Sequence, residues 1–359
     1  MLRSMCVALG TAAAMAACAA PAPVALPGSP APAGTRFGMV VHGGAGTIER
    51  SSITPELEAQ YLAALRQALE TGHSILAGGG TSLDAVEAAV RVLEDAPLFN
   101  AGRGAVFTSE GRNELDAAIM DGRTLEAGTI AGVTRVRNPI SLARLVMEQS
   151  PHVMMIREGA EVFGREHNVE MVPESYFFTE SRWNALQRTL EREGRPMPQR
   201  PPGVTGGSDD PVPADHDDDV DRKFGTVGAV ALDRHGNLAA ATSTGGMTAK
   251  RFGRVGDVPI IGGGTYANQH CAVSATGHGE FFIRNVVAYD ICARKEYLNV
   301  SLEQAARDVV MNRLVEQGGD GGIIAMDAQG NFTMPFNSAG MYRGRVDADG
   351  RVTVAIFRD

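Results

Sequence analysis

The residues best suited to catalysis are a glycine and a threonine at the end of a charged segment. Gly225 and Thr226 precede the apolar run 227–231. Because glycine has no side chain, a nucleophile can approach the carbonyl of Gly225. Attack by the Thr226 hydroxyl gives an ester, and hydrolysis of that ester leaves Thr226 as a new amino terminus. Its α-amine, with a pKa of about 8, can take the proton of the neighbouring hydroxyl.

The segment before these two residues differs from the rest of the chain. Residues 195–202 are rich in Pro and Arg, and seven Asp lie between positions 209 and 221 without any Lys or Arg. Such a run repels itself and has no apolar periodicity. We therefore expect a disordered acidic linker over about 190–225, either between domains or as a segment that is cut. On these residues alone, Thr226 also fits an ordinary threonine at the start of a strand.

The amino-terminal region has the features of an export signal. Arg3 precedes the 13-residue apolar stretch 5–17, which is too short to span a bilayer. Met15-Ala-Ala-Cys18 resembles a lipobox, in which Cys18 is lipidated, and ordinary signal-peptidase cleavage is the alternative. We expect a signal peptide over 1–17, a Pro/Ala-rich tether over 18–36, and export to the periplasm with membrane attachment only through such a lipid.

The remaining pattern predicts helices and strands that alternate in blocks. Strand 37–42 is followed by a helix capped by Thr54, and a second helix is capped by Thr81 or Ser82. Hairpins are predicted over 227–243 and 322–335, and helices over 279–296 and 302–316. This order indicates a layered α/β (α+β) protein with largely antiparallel strands.

Charge and motif content argue against several classes of function. The chain has 33 Lys and Arg against 42 Asp and Glu, a net charge of −9, which is unsuited to binding nucleic acid. Its four cysteines form no CxxC pair, so they indicate neither a zinc site nor a disulfide scaffold. The chain has no Gly-x-Ser-x-Gly motif, and Gly43–Gly46 lacks the spacing of a phosphate loop.

Seven motifs, in this order, resemble the plant-type L-asparaginase and isoaspartyl peptidase family of N-terminal-nucleophile hydrolases. They are His42-Gly-Gly-Ala-Gly46, Phe99-Asn-Ala-Gly102, Glu114-Leu-Asp-Ala117, Gly225-Thr-Val-Gly-Ala-Val-Ala231, Thr242-Ser-Thr-Gly-Gly-Met-Thr248, Gly253-Arg-Val-Gly-Asp257 and Thr276-Gly-His-Gly-Glu280. The resemblance implies a four-layer αββα sandwich made as a precursor. Self-cleavage would give an α subunit, 37–225, and a β subunit, 226–359, that assemble as a heterotetramer of two α and two β chains.

The resemblance also implies roles for individual residues. Thr226 corresponds to the nucleophile, freed by cleavage of the bond from Gly225. Thr244 corresponds to the second threonine, whose hydroxyl faces the nucleophile and holds its rotamer. Thr276 and the N–H of Gly277 correspond to the oxyanion hole, which stabilises the tetrahedral intermediate.

A second group corresponds to the residues that bind the substrate head group. Arg254 matches the arginine that grips the α-carboxylate, and Asp257 the acid that binds the α-ammonium. Gly277 and Gly279 add main-chain contacts. Without the resemblance, Arg254 and Asp257 also fit a surface ion pair, Thr244 an ordinary strand threonine, and Thr276 a turn residue.

The family pattern implies no cofactor for catalysis and a structural sodium ion bound by main-chain carbonyls of the loop 93–103, which includes Asn100. The candidate positions are Leu93, Glu94, Phe99, Ala101 and Arg103. One departure from the family pattern is His278, where we expect Thr or Asn; it leaves the substrate preference open. Cys271 and Cys292 fit either small buried residues or a disulfide.

These inferences predict a self-processing amidohydrolase. Its substrates would be β-aspartyl dipeptides and L-asparagine, and it would release L-aspartate through an acyl-enzyme on Thr226. A glycosylasparaginase is one alternative, although that family usually has Asp where Gly225 stands. A lipoprotein that binds amino acids without catalysis is the other, and it would stay at full length.

Overall fold

The computed structural model describes residues 36–46, 48–204 and 225–358. The predicted signal peptide, the lipidation site Cys18, nearly all of the tether and positions 205–224 of the linker lie outside these residues. Among the residues described, no helix combines the length and apolar character needed to cross a bilayer.

Four strands and five α-helices are found among the described residues that precede position 205. The strands are β1 (Gly38–Gly46), β2 (Leu115–Asp121), β3 (Ala127–Val133) and β4 (Met154–Ile156), and the helices are α1 (Pro55–Ala77), α2 (Ser82–Asp95), α3 (Pro139–Gln149), α4 (Arg157–Glu166) and α5 (Glu180–Arg192). The predicted caps of the first two helices are confirmed: Thr54 accepts a hydrogen bond from Leu57 N, and Thr81 accepts one from Asp84 N.

The remaining elements follow Thr226. The strands are β5 (Val227–Leu232), β6 (Leu238–Thr244), β7 (Thr265–Ala267), β8 (Cys271–Gly277), β9 (Gly321–Asp327), β10 (Phe332–Thr333), β11 (Gly340–Val346) and β12 (Val352–Phe357). The helices are α6 (Gly279–Asn285), α7 (Val287–Leu298), α8 (Leu302–Arg307) and α9 (Leu314–Glu316), and a π-helical segment, Asp308–Arg313, joins the last two.

These strands form two sheets. The larger has the order β12-β11-β1-β5-β6-β2-β3-β4, and the smaller has the order β10-β9-β8-β7. Every strand pair is antiparallel except β3 with β4, as the prediction of largely antiparallel pairing requires. In the larger sheet β5 and β6 lie between β1 and β2, so strands from both sides of Gly225 alternate. A cut before Thr226 would therefore leave both fragments in one hydrogen-bonded sheet.

Three apolar layers separate four layers of secondary structure. Along β1, Met39 and Val41 pack under α1 and α2, whereas Val40 lies between the two sheets. This alternation follows from the two-residue period of a strand. On the far side, α6, α7 and α8 cover the smaller sheet through residues such as Phe282 and Ile291. The predicted four-layer αββα sandwich is confirmed.

Two tight turns share one design. The carboxylate of Asp233 accepts hydrogen bonds from the N–H groups of His235 and Asn237, both at 2.9 Å, and so closes the β5–β6 hairpin. Asp327 does the same for the β9–β10 hairpin with Gln329 N and Asn331 N, at 3.0 and 2.9 Å. Such Asx contacts fix a turn locally. Both hairpins were predicted from the sequence.

The predicted helix 279–296 is instead two helices. Val286 adopts a left-handed conformation with φ of 49°, which ends α6 and begins α7. The apolar periodicity continues across this break, so the sequence pattern does not reveal it. The predicted helix 302–316 is confirmed, with the π-helical segment in its middle.

The predicted linker begins too early in the sequence. Residues 190–192 belong to α5, and further along the described chain Pro201 is buried. Arg200 donates two hydrogen bonds to Glu180, at 3.1 and 2.6 Å, and holds this segment against the start of the helix. Trp183 and Leu186 pack with Phe107 in a separate apolar cluster. The Pro- and Arg-rich composition favours a loop, and it does not reveal these contacts because they are made with residues distant in sequence.

Cys271 and Cys292 form a disulfide that joins β8 to α7. The sequence left this pairing open. Both residues are fully buried in the core between the smaller sheet and its helices. The bridge therefore ties the strand that carries Thr276 to the helical layer behind it.

We expect this disulfide to stabilise the fold measurably. A bridge across a sequence separation of 21 residues contributes about 3 kcal/mol to the free energy of unfolding by restricting the unfolded chain. The variant Cys271→Ala/Cys292→Ala should lose about that amount in urea titrations without reductant. Reductant should destabilise the wild type and leave the variant unchanged; equal stability of the two proteins under oxidising conditions would contradict this.

Candidate active site

Thr226 lies one residue before β5 of the larger sheet. It is buried, and its Oγ1 donates a hydrogen bond to Thr244 Oγ1 at 3.1 Å. The hydroxyl of Thr244, the last residue of β6, also accepts the N–H of Gly246 at 3.0 Å. The two threonines predicted to act together are thus in direct contact, and this contact fixes the orientation of the Thr226 hydroxyl.

The carbonyl before Thr226 is held by the main chain of another loop. Asn100 N donates to Gly225 O at 3.0 Å. The Asn100 side chain is itself fixed, because Nδ2 donates to Gly246 O at 2.7 Å and Oδ1 accepts Val106 N at 3.0 Å. An N–H aimed at a carbonyl oxygen stabilises negative charge that develops there. The sequence placed Asn100 only near a sodium site.

Thr276 and Gly277 end β8, on the facing sheet. Thr276 is buried within this strand, and its Oγ1 accepts the N–H of Ala45 at 3.3 Å. It is therefore a strand residue rather than a turn residue. Gly277 packs closely against Asp320 O and Phe282, where a Cβ atom would lie 2.5 Å from each. Packing in the smaller sheet fixes the position of these two residues.

Arg254, Asp257 and Gly279, the residues that the resemblance assigns to the substrate head group, lie close together. A Cβ atom at Gly279 would lie 2.8 Å from Asp257 Oδ1 and 2.9 Å from a terminal nitrogen of Arg254. Arg254 is paired with Glu280 rather than with Asp257: its Nε and Nη2 donate to the two Glu280 oxygens at 2.9 and 2.8 Å. The alternative of an Arg254–Asp257 ion pair is therefore wrong. His278 Nε2 lies 3.3 Å from the same glutamate.

Asp257 is a buried carboxylate with unused hydrogen-bonding capacity. Its Oδ2 has no hydrogen-bond partner among the described residues. Burial raises the pKa of Asp257 to about 7, although nearby Arg254 acts in the opposite direction. A cation bound here would supply the missing partner and favour the ionised form. The group is thus suited to a ligand that carries an ammonium.

The loop 93–103, which includes Asn100, brings several main-chain oxygens close together. Main-chain oxygens of Glu94, Pro97 and Phe99 lie close to Gly102 and Gly104, where a Cβ atom would collide with them. Carbonyl oxygens are the ligand type that hard cations accept. Among the described residues, no group of His, Cys, Asp or Glu side chains is placed to hold a metal ion.

The Glu94 side chain binds other residues of the protein and not the main-chain oxygens of this loop. It is fully buried, and its Oε1 accepts Ser243 Oγ at 2.6 Å and Ile140 N at 3.0 Å. Burial raises the pKa of Glu94 to about 8. Since Ser243 directly precedes Thr244, this carboxyl group supports the strand that holds the second threonine.

Sequence reasoning missed two further groups behind the site. Asp116 pairs with Thr244 in the sheet register, and burial raises its pKa while Lys250 acts in the opposite direction. The Lys250 ammonium donates to Glu114 O at 3.1 Å and is itself nearly buried. Asp116 lies in a motif that was recognised without a role, and Lys250 lies two residues after the end of another, at Thr248.

This arrangement combines two elements of acyl transfer with a charged cluster. A threonine hydroxyl is held by a second hydroxyl, a backbone N–H faces the preceding carbonyl, and a charged cluster suited to a zwitterion lies beside Gly279. The first two are the groups that an amidohydrolase with a threonine nucleophile uses.

Comparison with known proteins agrees with this geometry. Residues 35–356 match the family model described as Asparaginase. The chain belongs to the asparaginase family. The resemblance inferred from the seven motifs is thereby confirmed, and it extends through both sheets.

Curated relatives of this asparaginase-family chain cover nearly its whole described length. The isoaspartyl peptidase of Escherichia coli is 50% identical over 322 residues, which cover 89% of this chain and 96% of that protein. The isoaspartyl peptidase/L-asparaginase of Xenopus laevis is 39% identical, covering 87% of this chain and 92% of its own. The plant-type L-asparaginase of Pyrococcus abyssi is 40% identical, with coverages of 84% and 94%.

The buried Glu94 predicts a dependence of stability on pH. Its pKa rises from the ordinary 4.5 to about 8 on folding. Between these values the unfolded chain has released the proton and the folded chain keeps it, so rising pH favours unfolding. Glu94→Gln keeps an oxygen for Ser243 and Ile140 and removes the ionisation. Between pH 5 and 8, about the window set by these pKa values, wild type should lose more stability than Glu94→Gln in urea titrations.

The matched control is Glu166→Gln, which alters an exposed carboxylate at the end of α4. It should follow the wild-type pH profile. Parallel profiles for wild type and Glu94→Gln would show that Glu94 ionises alike in the folded and unfolded chains.

Proposed function

We propose that this chain is a self-processing amidohydrolase that cleaves β-aspartyl dipeptides and L-asparagine and releases L-aspartate. The observation that carries this proposal is the buried hydrogen bond from Thr226 to Thr244, directly after a carbonyl that Asn100 N holds. Relatives named isoaspartyl peptidase and L-asparaginase, at 39–50% identity, support the choice of substrates.

Self-cleavage begins at the Gly225 carbonyl. Thr226 Oγ1 attacks its carbon, and Asn100 N donates to the oxygen as it gains negative charge. The proton of the hydroxyl passes to the Thr226 nitrogen as the C–N bond breaks, so the Gly225 acyl group moves to Thr226 Oγ1 and the nitrogen becomes a free amine. Water hydrolyses this ester, which yields the Gly225 carboxylate and restores the Thr226 hydroxyl.

Turnover uses the amine created by that cut. The Thr226 α-amine accepts the proton of its own hydroxyl as the oxygen attacks the side-chain carbonyl of the substrate. Thr244 keeps the hydroxyl oriented through the bond described above. Thr276 and Gly277 N stabilise the tetrahedral oxygen. Ammonia or an amino acid leaves, and water releases L-aspartate from the enzyme.

The charged cluster selects the aspartyl unit. Asp257 receives the substrate ammonium through its unpartnered Oδ2, and the carbonyl of Gly279 adds a contact. Arg254, already aligned by Glu280, binds the α-carboxylate. Position 279 requires glycine because a side chain there would overlap both Arg254 and Asp257.

A glycosylasparaginase is the nearest alternative. Gly225, where that family usually has Asp, favours the peptidase and asparaginase activities. Hydrolysis of aspartylglucosamine in preference to β-aspartyl dipeptides would reverse this choice. An amino-acid-binding protein without catalysis would leave the precursor uncut.

Assembly, ion binding and location are part of the same proposal. The two chains remain paired because their strands alternate in one sheet, and two such pairs form a heterotetramer. The main-chain oxygens of loop 93–103 fit a structural sodium, and catalysis needs no cofactor. The Cys271–Cys292 disulfide favours an oxidising compartment and so supports export to the periplasm. Lipidation of Cys18 stays a prediction.

The decisive experiment combines intact mass with activity. Purified wild type should separate into two chains, the second starting at Thr226, and should hydrolyse β-aspartyl dipeptides. Thr226→Ala should remain uncut and inactive because one hydroxyl serves both reactions. Thr353→Ala, on the exposed edge strand β12, should behave as wild type. A wild-type chain that hydrolyses substrate while it stays at full length would contradict the mechanism.

Asp257 predicts how pH changes affinity for the head group. Because the pKa of Asp257 in the free site is about 7, protonation at lower pH removes the charge that binds the ammonium. The inhibition constant of L-aspartate should therefore rise about tenfold for each pH unit below 7. Asp257→Asn should bind L-aspartate weakly with little dependence on pH. A constant that stays flat from about pH 7 to about pH 5 in wild type would contradict this assignment.

A further inference from the structure

The structure places a histidine beside the carbonyl of Thr226 that the proposed mechanism does not use. His42 in β1 is fully buried, and its Nδ1 lies 3.0 Å from Thr226 O. Its Nε2 lies 2.9 Å from Ser274 Oγ in β8 of the facing sheet. One imidazole ring thus connects the candidate nucleophile with the second sheet.

The hydrogen bonds fix the tautomer of this ring. A carbonyl oxygen only accepts, so His42 Nδ1 carries the proton and donates to Thr226 O. Nε2 is then an acceptor, and the Ser274 hydroxyl donates to it. Ser274 Oγ in turn accepts from Thr242 at 2.7 Å. Thr265 Oγ1 lies 2.7 Å from Thr242 Oγ1 and 3.1 Å from Val258 O, and its single proton is shared between these two acceptors. The chain of donors therefore runs in one direction and ends at Thr226.

Burial keeps this chain neutral. The side chains of Thr265, Thr242, Ser274 and His42 are all fully buried. Burial lowers the pKa of His42 to about 3, although the bond to Thr226 O acts in the opposite direction. At neutral pH His42 therefore does not exchange protons as an acid or base, and its contribution is geometric.

Thr226 needs such support because it lies outside the sheet ladders. The last pair between β1 and β5 joins His42 with Gly228, and the last pair between β5 and β6 joins Val227 with Ser243. A chain end beyond its last paired residue frays readily. The bond from the His42 ring extends the support of β1 past the end of the ladder to the Thr226 carbonyl.

The surrounding backbone leaves room for this contact. A Cβ atom at Gly228 would collide with Ser274 Oγ and come within 2.5 Å of His42 Nε2. The β1–β11 register also shifts between His42 and Gly44. Such a bulge redirects a side chain, and bulges are frequent beside active sites.

We propose that His42, held as the Nδ1–H tautomer by Ser274, is a positioning residue that fixes the carbonyl of Thr226 and so the orientation of its amine and hydroxyl. This inference rests on the proposed function, in which Thr226 is the nucleophile. It predicts an effect on kcat and not on KM, since Arg254 and Asp257 bind the head group elsewhere.

Two amide variants test the hydrogen bonds of His42 Nδ1 and Nε2 separately. The Asn amide reaches the place of Nδ1, so His42→Asn keeps a donor for Thr226 O. The Gln amide reaches the place of Nε2, so His42→Gln keeps the contact with Ser274 and loses that donor. Relative to wild type, and per mole of chain starting at Thr226, His42→Gln should lower kcat about tenfold or more, the effect of one hydrogen bond. His42→Asn should stay within about threefold, and KM should stay within about twofold for both.

The outcomes decide between positioning and packing. Loss of kcat in His42→Gln with retention in His42→Asn supports the proposal. Equal loss in both variants, equal retention in both, or a change confined to KM overturns it. An inactive or uncut wild type would instead refute the proposed function, so the two failures are distinguishable.

Nuclear magnetic resonance supplies a readout that does not depend on activity. In protein labelled with 15N-histidine, the His42 signal is the one that disappears in His42→Asn. It should show a proton on Nδ1 and stay unchanged from about pH 5 to about pH 8. A proton on Nε2, or titration in that range, would overturn the proposal even if both variants were inactive.

Discussion

The hydrogen bond between Thr226 and Thr244 depends on three parts of the chain that are far apart in sequence. Thr244 comes from β6, the Gly225 carbonyl is held by Asn100 after α2, and the Thr226 carbonyl is held by His42 in β1. Each neighbour fixes a different atom of the same short segment. A layered fold with β5 at the centre of its larger sheet satisfies all three contacts, because β1 and β6 flank that strand. The contacts that the proposed reaction needs are therefore the same contacts that this order of strands produces.

The parts of this arrangement that are local in sequence could be predicted. Capping by Thr54 and Thr81 and the hairpin turn at Asp233 follow from residues a few positions apart. The grouping of Arg254 and Asp257 beside Gly279 followed from resemblance rather than from periodicity. The sequence alone would have allowed a surface ion pair between the two charged residues.

Contacts between distant residues could not be predicted. Asn100 acts on Gly225 through a backbone N–H, which any residue possesses, so no side-chain pattern marks it. Glu280 pairs with Arg254 because α6 begins beside the loop that carries the arginine. Its pairing, like the disulfide between β8 and α7, depends on how the layers pack. The π-helical segment and the break at Val286 likewise leave the apolar periodicity intact.

The electrostatics of the site explain how it would distinguish a free aspartyl unit from one within a peptide chain. Asp257 is buried with one oxygen unpartnered, and burial raises its pKa, so its charged form is costly until a cation arrives. In the proposed mechanism, a substrate with a free α-ammonium would remove that cost, and its α-carboxylate would reach Arg254, which Glu280 already holds in place. A substrate with an acylated amine would occupy the same space, but it would leave the Asp257 carboxylate without a cationic partner. Rejection of such a substrate therefore follows from an unpaired buried group, which discriminates more strongly than a difference in size.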